Sequence, residues 1–262
     1  MQHARTVLAL LLVSFAAPAL ARQGDDHASR SESGHLRLLA TRAIHGPLDA
    51  VLNQLKSVAK MPIVVEYGSA KGNLREEILS GKDFEIAILL PDVNRDLLAA
   101  GKIEARTYDL ATVPTAIGIR GEATVDVSTP EALKRTLLAA RSVEYSPTGT
   151  GVVSVRNMIA ALGLAGQLND ASTVDAEVML KRGEYEIVFY PLSEMLARKE
   201  LRSLGPLLSR FQVPVVLQAA IGVNAKAADA TLAVLQFLQG PGFDEALAES
   251  GMSRSSRTDT LR

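Results

Sequence analysis

The sequence predicts an α/β protein built from two units, each a mostly parallel sheet flanked by helices, joined by two extended crossings. Three observations carry this. Apolar residues make up 47% of the chain, but aromatics only 4% with no Trp, so the cores are aliphatic, as where helices cover sheets. Short aliphatic runs alternate with segments whose apolar residues recur at helical spacing. Two further extended stretches, near Ala111–Gly118 and Gln212–Leu217, break that alternation and read as the crossings.

The elements follow in order. Arg5, the apolar run Val7–Ala17 and the small-residue site Ala19-Leu20-Ala21 form a secretory signal peptide, with cleavage expected after Ala21. The run is short for a membrane span. Cleavage removes one positive charge and takes the formal net charge from -1 to -2. Residues 22–34 are polar, without periodicity, and read as a disordered leader. Leu36, Leu38, Leu39 and Ala40 form a first strand. Leu48, Val51, Leu52, Leu55 and Val58 space a helix over Gly46–Lys60. "MPIVVEYGSA" is a strand ending at Gly68-Ser69, and "KGNLREEILSG" a helix closed by Gly81. "FEIAILL" is a strand stopped by Pro91, and "DVNRDLLAAG" a helix closed by Gly101.

Past the first crossing, "STPEALKRTLLAA" opens with a capping hydroxyl, Pro130 and Glu131, which start a helix. "RSVEYS" is a strand, and 152–162 and 171–181 are helices. "YEIVFY" is a strand ended by Pro191, and "SEMLARKEL" a helix. After the second crossing come the helix "ADATLAVLQFLQG" and the segment "GFDEALAESG". This gives one lobe from 35–114 plus 215–252, a second from 115–214, and a frayed tail at 253–262.

Composition excludes several functions. A formal charge near zero offers no basic surface for a nucleic acid backbone. The absence of Cys removes disulfides, thiolate metal sites, a Cys nucleophile and a lipidated Cys anchor. An exported chain of this kind fits a bacterial periplasm. His35 and His45 share no ligand spacing, and "PDVNRD" lacks the glycine and terminal Glu of a calcium loop, so no metal is expected. "SPTGTG", residues 146–151, has the look of a phosphate loop, but no Lys follows its glycines, and the nucleotide reading fails. No cofactor is expected.

Five phrases in order, "LLATRAI", "YGSAKGNLREEILSG", "DLLAAGKI", "TPEALKRTLLAARSVEYSPTGTGVVS" and "RGEYEIVFYPLSEM", resemble the molybdate-binding-like branch of type II periplasmic binding proteins, the solute receptors of ABC transporters. The resemblance covers residues 35–252. It implies a two-lobed receptor, acting as a monomer, that closes on a small anion and delivers it to a membrane permease. "FEIAILL" departs from the family's Ala-Asp before that strand, and Arg42 adds a cation to a loop that holds small neutral residues in relatives.

In open α/β sheets ligands sit beyond the carboxyl ends of strands, near helix N-termini that favour anions. That rule and the resemblance place Thr41, Arg42, Ser69, Lys71, Thr148, Gly149, Thr150, Gly151 and Tyr190 around the ligand. The hydroxyls donate to oxygens, the glycines let backbone amides approach, and Arg42 and Lys71 add charge. An enzyme on the same scaffold is the alternative. Relatives resembling aconitate isomerase move a proton on a tricarboxylate, with Arg42 and Lys71 as clamps and His45 or Glu194 as the base. A free-standing sensor domain is a third reading.

Overall fold

The computed structural model describes residues 34–120, 123–167 and 187–255. The expected signal peptide, most of the leader, the helix at 171–181 and the tail beyond residue 255 lie outside the described residues.

The chain opens with β1 (Leu36–Thr41), whose apolar run is buried on both faces. A single 3-10 turn, Arg42–Ile44, leads into α1 (His45–Ala50) and α2 (Leu52–Ala59). The expected single helix over 46–60 is therefore broken at Val51, which leaves the helical region with φ -105° and ψ 7°. Lys60 closes α2 in the left-handed conformation. β2 (Ile63–Gly68), α3 (Asn73–Leu79), β3 (Ile86–Leu89) and α4 (Pro91–Ala99) follow, with Gly81 and Gly101 ending the two helices at φ +105° and +65°. At these two positions the left-handed turn requires a glycine.

β4 (Ile103–Val113) runs into β5 (Thr115–Ile119) with only Pro114 between them. The first seven residues of β4 were not apparent in the sequence, because most of them are partly or fully exposed and lack a clean alternation. α5 (Pro130–Ala139) starts as expected: the Thr129 hydroxyl accepts from the Ala132 N–H at 3.1 Å, with Pro130 in the first turn. β6 (Val143–Tyr145), α6 (Val152–Ala161), β7 (Ile187–Pro191) and α7 (Leu192–Ala197) complete the second unit, together with the edge strand β8 (Arg202–Pro206). The expected helix "SEMLARKEL" thus stops at Ala197. β9 (Val215–Gly222), α8 (Ala228–Gln239), α9 (Asp244–Glu249) and β10 (Ser253–Arg254) return to the first sheet. Ser253 and Arg254 are not frayed: they pair with Thr112 and Ala111, and Arg254 is tied to Asp244 at 2.7 Å.

The two sheets have strand orders β10-β4-β9-β3-β1-β2 and β6-β7-β5-β8. Both are mixed rather than mostly parallel. β1 pairs in parallel with β2 and β3, and β6 with β7, while β4, β5, β8, β9 and β10 pair antiparallel. The reason is topological. A strand that leaves one sheet for the other and a strand that comes back run in opposite directions, so β4 and β9 lie antiparallel.

Each sheet has its own apolar core. Leu38, Leu39, Ile86, Ile88, Leu217 and Phe243 belong to the first, and Ile117, Leu133, Leu137, Val155, Met158 and Phe189 to the second. A smaller cluster of Ala116, Val188, Tyr190, Met195 and Leu201 seats α7 on the second sheet. A side chain at Gly118 would collide with Met195, so glycine there lets α7 lie flat on β5.

Candidate functional site

Strand register sets the first wall of the site. Thr41 pairs with Gly68 across β1 and β2, so Thr41 and Ser69 emerge side by side at the carboxyl edge of the sheet. The Ser69 N–H donates to Asn73 Oδ1 at 2.9 Å, and its carbonyl accepts from Leu74 at 3.2 Å, which folds α3 back over the strand end. Gly68 permits this, because a Cβ there would sit 2.7 Å from the Asn73 side chain.

The second wall is the loop 146–151. It turns with the Gly149 N–H donating to Ser146 O at 3.2 Å and the Val152 N–H to Gly149 O at 3.3 Å. Both glycines are needed for close approach. A Cβ at Gly149 would lie 2.8 Å from Ser146 Cβ, and one at Gly151 would lie 2.6 Å from Thr115 Oγ1. The loop is fixed to the second crossing through α6: the Val213 N–H donates to Ser154 Oγ at 2.9 Å.

The two walls meet in hydroxyl pairs. Thr41 Oγ1 lies 3.5 Å from Thr150 Oγ1, and Ser69 Oγ lies 3.4 Å from Thr148 Oγ1. These spacings are wider than a good O–H···O bond. Behind them a cavity of about 260 Å³ is lined by Arg42, Tyr145, Ser146, Tyr190, Glu194 and Arg198, among others.

Tyr190 borders the cavity, but its hydroxyl is committed. It donates to Glu144 Oε1 at 2.6 Å, and Glu144 is fully buried beneath the cleft. Burial, and then this bond to a carboxylate, raise the Tyr190 hydroxyl above its ordinary range, so it stays protonated. The Arg198 guanidinium stacks over the same ring, 4.6 Å from its centroid. The enclosing walls push the Glu194 carboxyl above the usual carboxylate range, while Arg198 and Arg42 pull it part of the way back.

Of the residues expected around the ligand, Thr41, Arg42, Ser69, Thr148, Gly149, Thr150, Gly151 and Tyr190 line this one cavity, and so does Glu194. Two do not. Lys71 turns away: its ammonium pairs with Asp92 at 2.5 Å and borders separate depressions on the other side of the loop. His45 lies outside the cleft, with Nε2 2.9 Å from Asp49 and its ring edge-on to Tyr67 at 4.4 Å. Asp49, one helical turn on, takes up His45, and Asp92, in the first turn of α4, takes up Lys71. Sequence reasoning missed Glu144 and Arg198. Arg198 was within reach, since it stands four residues after Glu194 in the segment that the sequence marks as a helix.

Two mixed α/β sheets, joined by short crossings and facing each other over a polar cleft, define the fold of the type II periplasmic substrate-binding proteins. The chain belongs to the bacterial extracellular solute-binding protein family, whose model matches residues 36–253. It is 26% identical to an aconitate isomerase from a Pseudomonas species over 227 residues, 83% of this chain and 87% of that one. The sulfate-binding protein of Mycobacterium tuberculosis superposes with a TM-score of 0.66 at 13% identity, covering 85% of this chain and 87% of that one. The periplasmic molybdate-binding protein of Azotobacter vinelandii gives a TM-score of 0.63 at 16% identity, over 84% of this chain and all of that one. At these identities the two structures speak for the fold. No helix among the described residues is long and apolar enough to cross a membrane.

Proposed function

We propose that the protein is a periplasmic solute receptor of an ABC-type uptake system that binds a small anion between its two lobes. The lobes are taken as 35–114 plus 215–252 and 115–214, and the receptor works as a monomer that hands its ligand to a membrane permease. The signal-like N-terminus supports the location, and family membership supports the role. The observation that carries the ligand class is the facing hydroxyls. Thr41 and Ser69 from one sheet and Thr148 and Thr150 from the other converge at 3.4 to 3.5 Å over a cavity that also holds Arg42 and Arg198. Neutral O–H donors backed by guanidinium groups suit a molybdate-like oxyanion or a small carboxylate.

A second reading is catalysis on the same scaffold, a proton shift on a tricarboxylate. Glu194 favours it, as an acid with raised affinity for a proton lining a cleft with two cations. The similarity to aconitate isomerase supports the same reading. His45 has no part in it, given its place outside the cleft.

The test is a melting-temperature series with molybdate, tungstate, sulfate, phosphate, citrate and trans-aconitate, with trans-aconitate also followed by NMR. A ligand held by the folded state raises the melting temperature by mass action. A rise with one anion and an unchanged trans-aconitate spectrum is the expected outcome for a receptor. Conversion of trans-aconitate that is lost in Glu194→Gln would replace that reading with the enzymatic one.

A further inference from the structure

The hydroxyl cradle forms only part of the cleft. Another part is built by α7, and its chemistry is ionic. Glu194 stands in the first turn of α7 and Arg198 follows its last residue in extended backbone, and both line the cavity. Arg198 is held in place before any ligand arrives. Its guanidinium stacks on the Tyr190 ring at 4.6 Å, and the Tyr190 hydroxyl is fastened to buried Glu144 at 2.6 Å. The stacked guanidinium presents its N–H fork to carboxylates, and in the free protein its Nη1 lies 3.8 Å from the exposed Glu200 carboxylate, a wide contact that a ligand carboxylate would replace.

Glu194 has no such engagement: among the described residues, no hydrogen bond or ion pair takes up its carboxyl. The charged and titratable groups around it are Arg198 just past the end of α7, Arg42 from the turn after β1, and Tyr190 and Tyr145 from the second sheet. An ionised acid here would repel any anion entering the cleft. As a neutral acid it offers a proton to a ligand oxygen instead.

We infer that the cleft takes a small di- or tricarboxylate, with one carboxylate in the hydroxyl cradle, a second on Arg198, and Glu194 as the neutral acid donating to a ligand oxygen, so that binding is coupled to one proton. This rests on reading the cleft as the solute site. The walls that push the Glu194 carboxyl upward act in the direction this role needs. Arg42, beside Thr41, completes the set of cations on the cradle side.

Calorimetric titration of the full-length protein with tricarballylate, a saturated tricarboxylate, tests this against molybdate and sulfate from the acid to the alkaline side of neutrality. Tricarballylate is expected to bind most tightly, and its affinity to fall by up to about tenfold per pH unit on the alkaline side. Glu194→Gln is expected to flatten that fall; the ligand's own titration is common to both proteins and cancels in the ratio. Arg198→Lys is expected to lose about tenfold to a hundredfold in tricarballylate affinity, because a point charge does not replace the fork, with the unliganded melting temperature unchanged. Tighter binding of molybdate or sulfate would overturn the carboxylate assignment and leave the receptor reading standing. An equal pH dependence in wild type and Glu194→Gln would overturn the proton coupling. Failure of every anion to bind would remove the solute site itself.

Discussion

Thr41 and Thr150, far apart in the chain, bring their side-chain oxygens within 3.5 Å of each other from opposite sheets. Ser69 and Thr148 repeat the arrangement at 3.4 Å. Neither pair is tight enough to satisfy itself, so the donors remain available to an oxygen placed between them. Ser69→Ala removes one donor from a half-buried position. It is expected to leave the melting temperature of the free protein unchanged and to weaken anion binding about tenfold, as for the loss of one hydrogen bond to a charged group. Calorimetry on the two proteins checks both halves.

Tyr190→Phe is expected to act mainly on stability. The hydroxyl does not point freely into the cleft; it satisfies the buried Glu144 carboxylate. Its removal should cost about 1–3 kcal/mol, the cost of taking a partner from a buried polar group. The melting temperature should fall by about 2–4 °C per kcal/mol for a chain of this size. Arg198 keeps its aromatic platform in this variant, so affinity should change less than stability.

Glu194 makes stability depend on pH in a defined direction. Its carboxyl is held above the usual range by the walls that enclose it, so the folded protein keeps a proton that the unfolded chain has released. Stability therefore falls as pH rises from the ordinary carboxylate range through the raised value. Below that range both states are protonated and nothing is lost. Glu194→Gln should melt with the wild type at about pH 4, near the unperturbed carboxyl value. It should melt above the wild type at alkaline pH. A constant gap at all pH values would contradict the assignment.

Gly151 lies against Thr115 so closely that a Cβ would sit 2.6 Å from the Thr115 hydroxyl oxygen. Gly151→Ala is expected to destabilise by about 1–3 kcal/mol through overpacking. Thr115→Ala in the same chain removes the colliding atoms and should recover part of the loss, which a double-mutant cycle of urea midpoints measures. Gly34→Ala, with nothing within 4 Å of the added carbon, serves as the neutral control.

The sequence made the alternation of elements readable because β1, β3 and β7 are continuous buried runs and α5 carries its own start signals. It concealed β4 and β8, whose side chains are mostly half-exposed and follow no clean period. It also concealed sheet direction, which depends on which strands cross between the sheets rather than on any local pattern. Thr41, Ser69 and the loop 146–151 were legible from their place at strand ends. Lys71 and His45 were misplaced for a shared reason. Asp92, brought near by the fold, and Asp49, one helical turn on, take them up, and such pairing depends on side-chain direction that spacing alone does not give. Glu144 was illegible, since a carboxylate in a three-residue strand shows its function only once the Tyr190 hydroxyl reaches it.

The central claim is that one anion is held at once by hydroxyls from both sheets. The most direct measurement is a calorimetric cycle of wild type, Thr41→Val, Thr150→Val and the double variant, using whichever anion in the panel raises the melting temperature most. Each single change is expected to weaken binding about tenfold to a hundredfold. The double variant is expected to lose binding altogether, while all four proteins melt within a few degrees of each other. Wild-type affinity in both single variants would contradict the claim.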